Sequence, residues 1–256
     1  MGELTGRVAL VFGAGSSGAA ISNGEAAARA YARAGAIVAA IDRNGAEARR
    51  VAEAIGGDAI AITADVTRED EVAAAVDTAV RDLGAPGILH NNVGLARTGP
   101  VTDIGLGDWN EMLAVNLTSA YLTCRHTLPH MLAAGRGVIV NVSSLAGIRD
   151  TGYVYPAYSA AKAGINQLTV SIALTYADRG IRANAVLPGL IDTPLVRTEI
   201  TDDPAALAAR HARSPTGRMG TPQDVANAAV FLASDRAAYI NGVCLPVDGG
   251  LAARSA

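Results

Sequence analysis

Short apolar runs alternate with longer amphipathic stretches along most of the chain. The short runs, bounded by turn residues, are 7–12, 36–41, 58–63, 138–142 and 181–187. Runs of this length predict buried strands. The amphipathic stretches include residues 72–83 and 109–132, which predict helices. Strands that alternate with helices indicate an α/β fold, a doubly wound parallel sheet of about seven strands with its ligands at the carboxyl ends of the strands.

Composition and charge narrow the class of protein. No linker or charge block divides the 256 residues, and the net charge is −3, so we expect one domain over residues 1–256 and no nucleic-acid partner. The start lacks the regions of a signal peptide, and no apolar run approaches the ~20 residues of a membrane span. These features predict a soluble, cytoplasmic protein without a membrane partner.

The cysteines and histidines do not form a pattern typical of a metal site. Cys124 and Cys244 lie in apolar contexts, which predicts two buried thiols and no disulfide framework. His126 and His130 are four residues apart, but no cluster of acidic residues or cysteines accompanies them. We therefore expect no metal.

A glycine-rich turn follows the first predicted strand. Its residues Gly13-Ala-Gly-Ser-Ser-Gly18 match the Gly-x-Gly-x-x-Gly pattern that binds dinucleotide phosphates. Ser22-Asn-Gly-Glu25 is a capping-box pattern, which predicts that the next helix begins at about Asn23 with its amino terminus facing the pyrophosphate. In that register residues 17–21 form an inserted bulge.

The second predicted strand ends at an acidic residue. A carboxylate at Asp42 suits the ribose hydroxyls of adenosine and repels a 2′-phosphate, which favours NAD. The neighbouring Arg43 could accommodate that phosphate, so NADP stays open.

Tyr158 and Lys162 have the i, i+4 spacing that places a phenol and an ammonium on one helix face. A nearby cation favours the ionised phenol, which otherwise forms only near pH ~10. A serine at the end of the strand 138–142 could hydrogen-bond a substrate oxygen on which charge gathers. Such a group of side chains suits the interconversion of a carbonyl and an alcohol.

The stretches Asn141-Val-Ser-Ser-x-Ala-Gly147 and Tyr158-Ser-Ala-Ala-Lys162 resemble the short-chain dehydrogenase/reductase family, and the resemblance extends from Val8 to Gly250. It implies a Rossmann-like domain with catalytic Ser144, Tyr158, Lys162 and Asn116. Ser143 is an alternative to Ser144, because the interval from Ser144 to Tyr158 is one residue longer than the commonest family spacing.

The resemblance also implies the positions that bind the cofactor. Asp65-Val66 resembles the adenine contact, Asn92-Val93-Gly94 the segment that closes the fourth strand, and Ile191 with Thr193 the contacts of the carboxamide. The implied cofactor-binding residues are Gly13, Ser16, Ser22, Asn23, Gly24, Asp42, Arg43, Asp65, Val66, Asn92, Val93, Gly94, Tyr158, Lys162, Pro188, Gly189, Ile191 and Thr193.

By the same resemblance, residues 194–215 form a flap over the substrate. The residues expected to line the pocket are Tyr153, Tyr155, Leu190 and Arg197, and His211 and Arg213 are further candidates, although a solvated helix face also explains them. The family's habit of association implies a homotetramer or homodimer formed through the helix of Tyr158 and the last strand.

The predicted function is transfer of a hydride between NAD(H) and a small-molecule secondary alcohol or ketone. Tyr155 and Lys162 have the Tyr-x6-Lys spacing of a divergent enoyl-thioester reductase branch, which is an alternative within the enzymes. A protein that senses NAD, or serves as a scaffold, is the alternative outside them.

Overall fold

The computed structural model describes residues 2–16, 20–194 and 204–254, in which seven strands form one parallel sheet. The strands are β1 (Val8–Phe12), β2 (Ile37–Asp42), β3 (Ile60–Thr63), β4 (Pro86–Asn91), β5 (Gly137–Val142), β6 (Ile181–Pro188) and β7 (Cys244–Val247). Their order across the sheet is β3-β2-β1-β4-β5-β6-β7. The predicted doubly wound sheet is thus confirmed, with the order reversing between β1 and β4.

Helices cover both faces of the sheet. They are α1 (Asn23–Arg33), α2 (Gly45–Ile55), α3 (Glu69–Leu83), α4 (Leu106–Leu113), α5 (Ser119–Ala133), α6 (Pro156–Thr175), α7 (Pro204–Arg213) and α8 (Pro222–Ala233). Ala9 and Val11 of β1 pack towards α1 and α8, whereas Leu10 and Phe12 pack towards α3 and α5. Both faces of the strand are therefore buried, which explains its unbroken apolar run.

The observed bounds differ from the predicted ones at a few elements. β3 begins at Ile60 rather than 58, because Gly56 and Gly57 have φ angles of 73° and 60° and the chain is still turning there. The predicted helix 109–132 consists of α4, a π-helical turn at Ala114–Thr118 and α5. None of the helices in the described ranges is long and apolar enough to cross a membrane.

Only one of the two cysteines is fully buried. Cys124 is 2% exposed, but Cys244 is half-buried, so the prediction for Cys244 is wrong. The reason is its position at the start of β7, an edge strand that pairs only with β6.

Candidate active site

The residues predicted for the cofactor and the chemistry lie where the parallel strands end. Gly13 follows β1, Asp42 ends β2, Asn92 follows β4 and Ser143 follows β5. This edge contains the crevice at the reversal of strand order, where doubly wound sheets bind ligands.

The amino terminus of α1 packs against the turn after β1. Ser22 Oγ accepts a hydrogen bond from Glu25 N (3.1 Å) and donates one to Gly15 O (2.7 Å), so a single hydroxyl joins helix and turn. A Cβ added at Gly24 would lie 1.8 Å from Gly13 O, so only glycine permits this approach. Because Gly24 has no side chain, the amino terminus of the helix is open to the crevice. Phosphate binding requires such access to the backbone N–H groups.

The predicted start of α1 at Asn23 is confirmed, but only half of the predicted capping box forms. The Glu25 carboxylate instead pairs with Arg50 (2.6 Å) and Arg29 (2.7 Å). Burial alone would raise the pKa of Glu25, but the bonds from Arg50 and Arg29 outweigh it and hold the pKa below its usual value. Within the predicted bulge, residues 17–19 lie outside the described part of the chain.

Two carboxylates hold the glycine-rich turn. Asp42 accepts hydrogen bonds from Gly15 N and Asn44 N, both at 2.9 Å, and Glu47 accepts one from Ser16 N at 3.2 Å. Glu47 was not among the residues predicted from the sequence. Its position in the first turn of α2 is the feature that could have indicated its role. Because Glu47 is paired with Arg50 (2.9 Å), the negative charge at the predicted ribose end of the crevice comes from Asp42.

A cavity of about 390 Å³ opens between Asp42 and the ends of β3 and β4. Predicted residues that line it are Gly13, Asp42, Arg43, Asp65, Val66, Val93 and Gly94. Its volume falls in the range of small-molecule sites. Hydrogen bonds from the amide and hydroxyl of Thr67 hold the pKa of Asp65 below its usual value, so this wall is also negatively charged.

Lys162 is the only lysine in the sequence, and it is 2% exposed. Its Nζ donates to Val142 O (3.0 Å) and lies 5.5 Å from the centre of the Tyr158 ring. The i, i+4 pair therefore shares a helix face, as predicted. Burial lowers the pKa of Lys162 to about 8, so near neutral pH the group is still largely an ammonium.

The π-helical turn presents Asn116 to the segment after β4. Asn116 Nδ2 donates to Leu95 O (2.8 Å) and Met112 O (2.9 Å), and its Oδ1 accepts from Leu95 N (3.2 Å). A Cβ added at Gly94 would lie 3.2 Å from Asn116 Oδ1 and 3.4 Å from Lys162 Nζ. Gly94 thus lies between the two side chains, and the bonds of Asn116 to Leu95 fix the segment that contains Gly94.

The two candidate serines have different surroundings. Ser143 is buried, and its hydroxyl donates to Lys162 O at 3.0 Å. Ser144 is half-buried, and its Oγ accepts from Ala146 N at 3.2 Å, which leaves the hydroxyl hydrogen for another acceptor. The geometry therefore favours Ser144 as the donor to a substrate oxygen.

Comparisons with known proteins agree with this geometry. A family model described as enoyl-(acyl carrier protein) reductase matches residues 18–252. A short-chain dehydrogenase/reductase from Burkholderia xenovorans superimposes with a TM-score of 0.95 at 41% identity, over 100% of both chains. The chain belongs to the short-chain dehydrogenase/reductase family.

Curated relatives in this family are dehydrogenases. Cis-4-hydroxycyclohexanecarboxylate dehydrogenase from Sinomonas cyclohexanicum is 44% identical, over 99% of this chain and 100% of its own. 2,5-Dichloro-2,5-cyclohexadiene-1,4-diol dehydrogenase from Sphingobium indicum is 38% identical over 97% of both chains. The present short-chain dehydrogenase/reductase is accordingly an oxidoreductase of CH–OH groups that uses a nicotinamide cofactor, as predicted.

The site of this short-chain dehydrogenase/reductase fits a dinucleotide. The Asn23 side chain has a buried Oδ1 without a hydrogen-bond partner in the described ranges. Buried polar atoms of this kind call for a partner such as a ligand. Because an amide oxygen only accepts hydrogen bonds, the partner of Asn23 Oδ1 must be a donor, such as a hydroxyl of a ligand. The phosphate site at the start of α1 is supported by the close approach of Gly24 to Gly13.

The segment after β6 closes the other side of the crevice. Gly189 N donates to Val247 O at 3.0 Å, and Ile191 bridges to Gly220. Pro188 ends β6, and Leu190 and Ile191 are both buried. The contacts of these residues and of Thr193 with a cofactor stay predictions.

An aromatic wall leads away from Tyr158. The ring of Tyr155 contacts that of Tyr158 edge-on with centroids 5.2 Å apart, and Tyr153 stacks on Tyr155 at 5.8 Å. The two predicted pocket tyrosines thus lie beside the proposed acid/base. Arg197 lies outside the described residues.

Helix α7 forms the described part of the predicted flap, together with Pro194 and residues 214–215. His211 Nδ1 accepts a hydrogen bond from Met219 N at 2.9 Å, which connects the ring to the following loop. The candidate role of His211 in the pocket stays a prediction. Arg213, the other candidate on this helix, lies over the ring of Tyr153 at 5.0 Å.

A chain of buried polar side chains under the site was also missed. Thr123 donates to Asn91 (2.7 Å), Asn91 to Asn141 (2.8 Å) and Asn141 to Thr169 (2.8 Å). The chain ties α5 and α6 to the central strands. The sequence feature that could have indicated this chain is an asparagine within an apolar strand. A buried side-chain amide is stable only if it is hydrogen-bonded.

Proposed function

We propose that the protein oxidises a secondary alcohol on a six-membered ring with NAD, or reduces the matching ketone, with Tyr158 exchanging the hydroxyl proton. The observation that carries the proposal is the buried Lys162 ammonium 5.5 Å from the centre of the Tyr158 ring. An ammonium at this distance favours the phenolate form of the tyrosine.

In the direction of oxidation, the Tyr158 phenolate accepts the proton of the substrate hydroxyl while Ser144 donates a hydrogen bond to the same oxygen. The bound nicotinamide supplies the hydride acceptor. Lys162 stabilises the phenolate and would also hydrogen-bond the ribose of the cofactor. Asn116, which is held by its bonds to Leu95, would anchor a water that links Lys162 to solvent, so that the proton can leave the site.

The choice of NAD over NADP is supported by the acidic end of the crevice. Asp42 lines the cavity there, and a 2′-phosphate beside its carboxylate would be repelled. Arg43 is exposed at the same cavity. The ratio of kcat/KM for NAD to kcat/KM for NADP shows whether repulsion of the 2′-phosphate by Asp42 or its attraction to Arg43 dominates.

A six-membered ring is supported by the aromatic wall of Tyr153, Tyr155 and Tyr158, because these three side chains give the region beside Tyr158 a large apolar surface. The names of two relatives, a hydroxycyclohexanecarboxylate dehydrogenase and a cyclohexadienediol dehydrogenase, also describe ring alcohols. A substrate that packs against this wall would have its carbinol carbon beside Tyr158.

Reduction of an enoyl thioester is the second candidate, because of the description of the matching family model. It would use Tyr155 with Lys162. The Tyr155 hydroxyl, however, is bonded to the Thr151 hydroxyl, and burial raises the pKa of Tyr155. These contacts favour Tyr158, and a comparison of crotonyl thioester with cyclic ketones separates the two reactions.

We also propose association into a homotetramer or homodimer through α5, α6 and β7. Tyr121 on α5 and Leu174 on α6 are 45% and 77% exposed, and burial of such side chains between copies would stabilise an assembly. Light scattering of the purified protein measures the number of copies.

Tyr158→Phe tests the proposed role of the phenol. We expect kcat for cyclohexanol oxidation to fall by about 10²- to 10⁴-fold, the usual contribution of an acid/base group, while NADH affinity, measured by fluorescence titration, changes little. Tyr176→Phe, which removes a hydroxyl at the far end of α6, is the matched control. Full activity of Tyr158→Phe would overturn the proposal.

A further inference from the structure

Helix α7 places two guanidinium groups over one aromatic ring. Arg213 Cζ lies 5.0 Å and Arg210 Cζ 5.2 Å from the centre of the Tyr153 ring. Neither guanidinium has a carboxylate within 4.0 Å among the described residues, whereas Arg97 pairs with both Asp108 and Glu111. Two positive charges are thus gathered at one site without an acidic partner in the described ranges.

The two arginines differ in what they bind. Arg213 Nη2 donates to Thr151 O, and the hydroxyl of Thr151 bonds that of Tyr155, so Arg213 attaches α7 to the loop before α6. Arg210 Nε is buried and has no hydrogen-bond partner in the described part of the chain. A buried donor without a partner is costly, and a bound ligand would remove the cost.

The acidic residue on this loop, Asp150, forms no ion pair with either arginine. Its Oδ1 accepts a hydrogen bond from Gly152 N at 2.8 Å within its own turn. Among the described residues, the two guanidinium groups therefore exceed the one carboxylate of this loop, which leaves an excess of positive charge. A positive site of this kind selects an anion.

The arginines lie at the outer end of the aromatic wall whose inner end is Tyr158. Ring contacts of 5.8 Å and 5.2 Å connect Tyr153 to Tyr155 and Tyr155 to Tyr158. A molecule lying along this wall would contact the arginines with one end and the acid/base with the other. Because three successive contacts of 5.0 to 5.8 Å connect the arginines to Tyr158, the two ends of such a molecule must be separated by a spacer of at least one ring.

We propose that Arg210, supported by Arg213, binds a carboxylate of the substrate, so that the enzyme acts on hydroxy acids whose carboxylate is remote from the reacting carbinol. The planar guanidinium can offer Nε and one Nη to the two oxygens of a carboxylate. Contact with Tyr153 holds the group in place by a cation–π interaction. This inference rests on the proposed function and names its substrate class.

The test compares two probes of the same shape and different charge, 4-hydroxycyclohexanecarboxylate and 4-hydroxycyclohexanecarboxamide. The wild-type enzyme should prefer the acid in kcat/KM. In Arg210→Gln the ratio of acid to amide should fall by about 10- to 100-fold, the usual effect of losing a hydrogen bond between charged groups. Arg81→Gln, which removes an exposed guanidinium from α3, is the matched control and should keep the wild-type ratio.

Binding supplies a readout that needs no turnover. Cyclohexanecarboxylate, which lacks the hydroxyl, should bind the NADH-loaded wild-type enzyme in calorimetry and bind Arg210→Gln at least about tenfold more weakly. Arg210→Lys keeps the charge but not the planar fork, so its acid-to-amide ratio should lie between those of the wild type and Arg210→Gln.

The outcomes separate the two proposals. If neither probe is oxidised, the proposed function fails, and the calorimetry still decides whether Arg210 binds a carboxylate. If both are oxidised without preference for the acid, or if Arg210→Gln keeps the preference, the assignment of Arg210 is overturned while the proposed function stands. If the variants do not fold, the wild-type ratio decides, and a ratio near one overturns the assignment.

Discussion

Replacing Lys162 by methionine should stabilise the cofactor-free protein at neutral pH while abolishing turnover. Lys162 is 2% exposed, and burial lowers its pKa from 10.5 to about 8. That difference corresponds to a cost of about 3 kcal/mol for burying the ammonium in the folded protein. Methionine removes this cost together with the bond from Nζ to Val142 O, which is worth about 1 kcal/mol. The expected net gain in free energy of unfolding at pH 7 is about 2 kcal/mol.

The stability advantage of Lys162→Met over the wild type should decrease as the pH rises. Below pH 8 the lysine is protonated in both the folded and the unfolded protein, so the cost is complete. As pH rises from 8 to 10.5, the folded state has released the proton while the unfolded state still binds it. The wild-type protein therefore gains stability relative to the variant over this window. The difference should fall to zero before pH 10 and then reverse, because only the bond from Nζ to Val142 O then separates the two proteins.

The assay is denaturant-induced unfolding of both proteins, at one protomer concentration and without NAD, followed by circular dichroism at pH 7, 8.5 and 10. Because Lys162 is the only lysine, a single side-chain NMR signal also reports its pKa directly. A variant that is less stable than the wild type at pH 7, or a difference that stays constant with pH, would refute the reasoning.

Three further predictions follow from the glycine-rich turn, the ribose end and the buried thiol. Gly24→Ala would place a Cβ 1.8 Å from Gly13 O, so NADH affinity in a fluorescence titration should fall at least about tenfold; wild-type affinity would contradict this. Asp42→Ala should raise the kcat/KM ratio of NADP to NAD by about tenfold or more, and an unchanged ratio would show that another group selects the cofactor. Burial raises the pKa of Cys124 to about 12, so at pH 8 a disulfide reagent should modify Cys124 only after denaturation, and rapid labelling of this residue in the native protein would speak against its burial.

Features set by neighbouring residues could be predicted from the sequence. The start of α1 at Asn23 follows from the capping hydroxyl of Ser22, which contacts Glu25 three residues later. The pairing of Tyr158 with Lys162 follows from the geometry of a single helix turn. Both interactions are local, so residue type and spacing contain most of the information.

Features that depend on distant residues could not be predicted in this way. The Glu25 carboxylate pairs with Arg50, which α2 brings to it, rather than with its own helix terminus. The stacking of Arg210 on Tyr153 joins α7 to the loop before α6. The π-helical turn at Asn116 depends on a hydrogen bond from Ser119 N to Ala114 O, five residues back, which has no simple sequence signature.

The burial of the only lysine has a practical consequence for work with this protein. Reagents that acylate primary amines will find no exposed side-chain amine on the folded molecule, whose other basic side chains are arginines and histidines. Covalent immobilisation or labelling through such chemistry would therefore be directed to the chain's α-amino group. Modification at Lys162 would instead report that the crevice had opened, which makes its acylation rate a measure of how firmly that region stays closed.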